Sequence, residues 1–123
     1  MRILLIDDDV AVLENLTLFL TNEFHTVESR SFVKDRAALL EILTRFGPDG
    51  IVLDYGMECL GTELYVWIRE WKSTASIVFY TNYARSLEQV HMLGVGAEES
   101  HIIEKREVGR DLDAILDALR RQI

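Results

Sequence analysis

Carboxylates at the ends of two apolar runs are the residues of this chain best placed to do chemistry. Asp7, Asp8 and Asp9 follow the run 3–6, and Asp54 follows the run 51–53. If both runs are buried parallel strands side by side, their C-terminal ends share one edge, and carboxylates far apart in sequence converge on a single patch. Adjacent carboxylates raise each other's pKa unless a cation neutralises them. Magnesium suits such a cluster, because it is a hard ion that takes oxygen ligands and commonly links one or two carboxylates to a phosphate. Manganese fits the same donors. Two further runs, 77–80 and 101–104, end in Thr81 and Lys105, which bring a hydroxyl and an ammonium to the same edge. Asp7, Asp8 and Asp54 would then cradle the metal, while Thr81 and Lys105 hold the remaining oxygens of a phosphoryl group. A carboxylate so placed is also a nucleophile, and phosphoryl transfer onto Asp54 would give an acyl phosphate.

The elements that must position these groups alternate along the chain. Periodicity predicts strands at about 2–6, 25–30, 50–54, 76–81 and 101–104, and helices at about 9–23, 33–46, 61–72, 85–94 and 108–122. Successive βα units in so short a chain argue for a parallel sheet covered by helices on both faces, with right-handed crossovers. An eight-stranded barrel needs far more chain. The first, third and fourth strands are continuous in apolar residues, as central strands must be. Thr26, Val27, Glu28 and Ser29 alternate and suit an edge, and 101–104 is short and charge-flanked, a second edge. The expected architecture is therefore a flavodoxin-like, doubly wound (βα)5 three-layer sandwich with strand order 2-1-3-4-5, whose ligand site lies beside the first strand. Leu64, Trp67, Ile68 and Trp71 recur at helical spacing, as do Val108, Leu112, Ile115, Leu116 and Leu119, and both sets read as core stripes. Asp9 reads as the N-cap of the first helix rather than a ligand, because a short carboxylate there accepts from free amides and faces the helix dipole favourably.

Bulk properties narrow the function classes. The 123 residues, 49% hydrophobic and 28% charged, suit one domain spanning 1–123. Thirteen basic against 21 acidic residues give a net charge of -8, which disfavours direct binding to nucleic acid or to an anionic membrane. No apolar stretch approaches the roughly 20 residues that span a bilayer. The single Cys59 makes no internal disulfide and the first residues lack a signal-peptide layout, so a cytoplasmic location is expected. His25, His91 and His101 lack metal-ligand spacing and read as surface or strand residues.

Taken together, the motifs ILLIDDDV, GIVLDYGM, VFYTNYA and HIIEK resemble, in order and strand-end placement, the receiver domains of bacterial two-component response regulators, with a chemotaxis-regulator-like layout over essentially the whole chain. The resemblance implies that Asp54 is the phosphoacceptor, Asp8 a direct magnesium ligand and Asp7 a water-mediated one. It also implies that the main-chain carbonyl of Gly56 completes the protein ligands, and that Thr81 and Lys105 grip the phosphoryl group. The implied donor is a histidine kinase or histidine phosphotransfer protein. The implied output is a conformational change read by a downstream protein, or by a second copy, at the face formed by the fourth helix, fifth strand and fifth helix. The chain departs from the family pattern at four places: Glu58 follows Met57 where proline is usual, Asn82 takes a usually small position, Ile102 replaces an aromatic residue, and Arg106 follows Lys105 instead of proline. A trans bond is expected before Arg106, since a cis non-proline bond costs ~2.5 to 4 kcal/mol.

On this reading the protein is not an enzyme beyond accepting its own phosphoryl group and losing it slowly. Gly56 offers no side chain to orient water, and Tyr83 is bulky enough to cover the site. The alternative is a degenerate receiver that binds partners without phosphorylation, which the retention of Asp7, Asp8, Asp54, Thr81 and Lys105 disfavours. A magnesium-dependent phosphatase of the haloacid-dehalogenase type wants a second acid two residues after the nucleophile, where this chain has Gly56.

Overall fold

The computed structural model describes residues 1–56, 61–82 and 87–123, apart from the side chain of Leu87. In chain order the elements are β1 (Arg2–Ile6), α1 (Val10–Asn22), β2 (Thr26–Arg30), α2 (Arg36–Phe46), β3 (Gly50–Leu53), α3 (Gly61–Trp71), β4 (Ser76–Thr81), α4 (Leu87–Gly94), β5 (Ile102–Glu104) and α5 (Val108–Arg120). All strand pairings are parallel, and the five-stranded sheet has the order β2-β1-β3-β4-β5, as the apolar patterning predicts.

Because side chains alternate along a strand, each central strand feeds two apolar layers. Leu4, Ile6, Ile51, Leu53, Ile77 and Phe79 face one layer, closed by Leu39 and Leu43 of α2, Leu64 and Ile68 of α3 and Met92 of α4. Ile3, Leu5, Val52, Val78 and Tyr80 face the other, closed by residues of α1 and α5 such as Leu16, Leu20, Ile115 and Leu119. Each fully buried aliphatic or aromatic side chain contributes ~1.5 to 3 kcal/mol of burial energy. Trp67 and Trp71 pack, partly buried, against the first layer, which explains them without a ligand.

Helix ends follow their caps. Asp9 Oδ1 accepts from the amides of Ala11 at 3.1 Å and Val12 at 3.3 Å, which starts α1 one residue later than periodicity suggests. Asp35 accepts from Ala38 N–H at 2.9 Å and starts α2 at Arg36 rather than near 33, leaving Val33 buried in the preceding loop. Gly47 closes α2 in the left-handed region at φ 62°, where glycine carries no Cβ penalty.

One boundary differs in kind. His101, expected within the fifth strand, belongs to a 3-10 turn, Glu99–His101, so β5 pairs with β4 over only Phe79, Tyr80 and Thr81. The upstream edge of β4 would be left open. Gln122 fills it: Oε1 accepts from Ile77 N–H at 2.9 Å and Nε2 donates to Ile77 O at 2.9 Å and Ala118 O at 3.0 Å. Gln122, expected inside the last helix, instead completes a ladder. Met57, Glu58, Cys59 and Tyr83, which carry several sequence expectations, lie outside the described residues.

Candidate functional site: an acidic pocket at the strand ends

The β1–β3 register sets Ile6 beside Leu53, so Asp7 and Asp54 leave the sheet together. Ladder bonds pin both: Asp7 N–H donates to Arg30 O at 3.1 Å and Asp54 N–H to Ile6 O at 3.0 Å. Their side chains are buried, whereas Asp8 is exposed. One carboxylate oxygen from each of Asp7, Asp8 and Asp54 lies within 4.8 Å of the others. An all-oxygen donor set with two members withdrawn from water fits a hard divalent cation. Asp9 stays with the helix, although its N–H donates to Asp7 Oδ1 at 2.9 Å and so helps orient that carboxylate.

Thr81 ends β4, fully buried, and its carbonyl accepts from Lys105 N–H at 2.9 Å. Lys105 reaches across the sheet edge to place Nζ 2.8 Å from Asp7 Oδ2 and 3.3 Å from Asp54 Oδ2. The five predicted side chains therefore come from the ends of β1, β3, β4 and β5, and four of them converge through these distances. Gly56 is exposed, two residues beyond Asp54. The peptide between Lys105 and Arg106 is trans, as expected of a non-proline bond.

Burial pushes the Asp7 carboxyl up to about 6, more strongly than its bonds to Lys105 and Asp9 pull it down; the neighbouring Asp54 charge adds a smaller upward push. Repulsion between carboxylates, the cause read from sequence, is thus secondary to desolvation. For Lys105 burial works to lower the pKa, but the Asp7 and Asp54 carboxylates outweigh it and hold the ammonium above its ordinary value.

Three features of the pocket escape sequence reasoning. Gly61 opens α3 against the end of β3: its N–H donates to Tyr55 O at 3.2 Å, and a Cβ there would overlap the Asp54 carbonyl and lie 3.0 Å from the Tyr55 Cα. Only glycine allows the helix this close. Tyr55, next to Asp54 and buried, places its hydroxyl 2.9 Å from His91 Nδ1 of α4, so a histidine that is exposed, as read from sequence, also bonds the residue beside Asp54. Asp111 is buried in the first turn of α5, three residues after Val108 and four before Ile115. A carboxylate inside an apolar stripe was the available signal for it.

The family model described as response regulator receiver domain matches residues 3–117. A CheY-like response regulator receiver domain protein from Methanospirillum hungatei JF-1 is similar at 27% identity, covering 98% of this chain and 94% of that one, with a TM-score of 0.80. The beryllofluoride-activated NtrC4 receiver domain dimer aligns at 23% identity over 99% and 98%, with a TM-score of 0.79. The response regulator TrrA from Thermotoga maritima, in complex with Mg2+ and BeF, aligns at 23% identity over 96% and 97%, with a TM-score of 0.75. No curated protein sequence matches the chain.

Proposed function

Since this chain belongs to the response regulator receiver domain family, we propose that it is a working phosphoacceptor that takes a phosphoryl group on Asp54 from a histidine kinase or phosphotransfer protein. The observation that carries this reading is the convergence of Asp7, Asp8 and Asp54 within 4.8 Å, with the Lys105 ammonium 3.3 Å from the acceptor carboxylate. An Asp54 carboxylate oxygen attacks phosphorus as the bond to the donor imidazole nitrogen breaks. The bonding pair leaves with that nitrogen, which regains a proton from water. Lys105 then exchanges part of its contact with Asp54 for a phosphoryl oxygen, and the Thr81 hydroxyl takes another.

Asp8, Asp7, Asp54 and the main-chain carbonyl of Gly56 are the groups we assign to magnesium, with manganese able to take its place. Bound there, the ion supplies charge neutralisation for the transferring oxygens. The donor chemistry supports this assignment, and the related TrrA carries Mg2+ and BeF. Receivers are signalling modules, and the function proposed here needs no catalysis beyond self-phosphorylation and slow self-dephosphorylation. For output we assign the face of α4, β5 and α5 to a downstream protein or a second copy. A cleft lined by Gln89, Ile102, Glu104, Arg106 and Arg110 lies on that face, and the related NtrC4 receiver is a dimer. We place the protein in the cytoplasm; none of its described helices is long and apolar enough to cross a membrane.

Intact-mass measurement with acetyl phosphate tests the reading. The wild type should gain one phosphoryl mass in magnesium and none in a chelator, and Asp54→Asn should gain none. An undiminished adduct in Asp54→Asn would move the acceptor elsewhere. The absence of any adduct in the wild type would favour the degenerate, phosphorylation-independent receiver.

A further inference from the structure

We propose that the buried Asp111 carboxylate is a positioning residue, a clamp that holds Thr81 and Lys105 in mutual register by binding the residue beside each of them. The inference rests on the proposed role of Thr81 and Lys105 as the phosphoryl-gripping pair. A single oxygen, Asp111 Oδ2, accepts from the Tyr80 hydroxyl at 2.5 Å, from Arg106 N–H at 2.9 Å and from Glu107 N–H at 3.1 Å. Tyr80 immediately precedes Thr81, and Arg106 immediately follows Lys105. The carboxylate thus ties the ends of β4 and β5 together at the point where the sheet stops.

The tie is needed because the β4–β5 ladder is short. It joins Phe79, Tyr80 and Thr81 to Ile102, Ile103 and Glu104, and Lys105 N–H to Thr81 O is its last bond. A ladder of that length frays readily at its end. Helix capping alone would explain part of the arrangement, since the N-cap Glu107 makes no side-chain cap bond and Asp111 accepts from its amide. It does not explain the phenol of Tyr80, which comes from another element and is 1% exposed. Burial above all, and then the Asp111 carboxylate, drive that phenol well above its usual range, so the hydroxyl remains protonated and donates. Arg106 matters here for its backbone: a proline at this position would have no N–H to give. Bonds to a charged acceptor in a site shielded from water are the strong ones, and they are directional.

Amide exchange followed by two-dimensional NMR reads the clamp directly. In Asp111→Ala the Lys105 amide should exchange about tenfold or more faster relative to the Asp54 amide, which bonds Ile6 on the far side of the sheet. Asp111→Asn retains an acceptor oxygen and should fall between Asp111→Ala and the wild type. Tyr80→Phe, nearly isosteric and expected to fold, should show a smaller selective loss. Leu39→Ala, a core truncation on the opposite face of the sheet, should accelerate both amides together. Acetyl phosphate labelling of the Asp111 variants should slow about ten- to a hundredfold. If Lys105 and Asp54 exchange keep their wild-type ratio in both Asp111→Ala and Tyr80→Phe, the clamp is overturned. A wild type that takes no phosphoryl group would condemn the phosphoacceptor reading alone, and the exchange ratio would still decide the clamp.

Discussion

Asp7 shows how one buried carboxyl sets conditions for the whole site. Its ordinary pKa of 3.8 applies in the unfolded chain, whereas burial lifts it to about 6 in the fold. Between these values the folded state binds more protons than the unfolded one, so this group's contribution to metal-free stability falls as pH rises from about 4 to about 6. Outside that window its contribution is flat. Asp7→Asn removes the titration, so the stability of the variant relative to wild type, from urea unfolding in a chelator, should increase across the window and level off above it. Metal ligation requires the ionised form, so magnesium affinity of the wild type should weaken about tenfold for each pH unit below the folded pKa. Calorimetric titrations at pH 5, 6 and 7.5 check this, and equal affinities at the two extremes would show that Asp7 is not part of the magnesium site.

At the scale of elements, we propose two routes for signal transmission into α4. One passes from Thr81 along the end of β4; the other passes from Tyr55, adjacent to Asp54, through its bond to His91. With Ile102 where receivers usually carry an aromatic residue, no ring on β5 is available to rotate. Amide shift changes on loading with beryllofluoride and magnesium should therefore cluster over residues 81–108, and Tyr55→Phe should shrink those on α4 while sparing those at Lys105. Changes confined to residues touching the phosphoryl analogue would end this idea, and an unaltered α4 response in Tyr55→Phe would remove the second route. The strand order was legible because three runs are continuously apolar and two are not, and the convergence of Asp7, Asp8, Asp54 and Lys105 because all four stand at strand ends. The Tyr80–Asp111 pair was not legible: its members are 31 residues apart and meet through packing. The shortened β5 escaped for a related reason, since His101 fits a strand by pattern and is displaced by a turn whose bond, His101 N–H to Glu98 O at 2.9 Å, is local geometry.

For the molecule as a whole, the acidic pocket is a local version of a global excess, 21 acidic against 13 basic residues. Among the described residues Lys105 is the cation between Asp7 and Asp54, and Asp8 joins the cluster from the exposed side. A divalent ion that binds the folded state alone must stabilise it, by ~2.7 kcal/mol when present at one hundred times its dissociation constant. For a chain of this size that corresponds to a rise in Tm of roughly 10 °C. Asp8→Ala removes a proposed ligand without opening a core cavity, so it should abolish most of the magnesium response while leaving the metal-free protein as stable as wild type or slightly more so. General screening of a chain with net charge -8 would act on both proteins alike, and holding ionic strength constant with potassium chloride separates it from binding. Thermal melts of the two proteins across a magnesium series give the answer: parallel shifts would show that the ion acts through overall charge, and a shift confined to the wild type would show that it acts through the pocket.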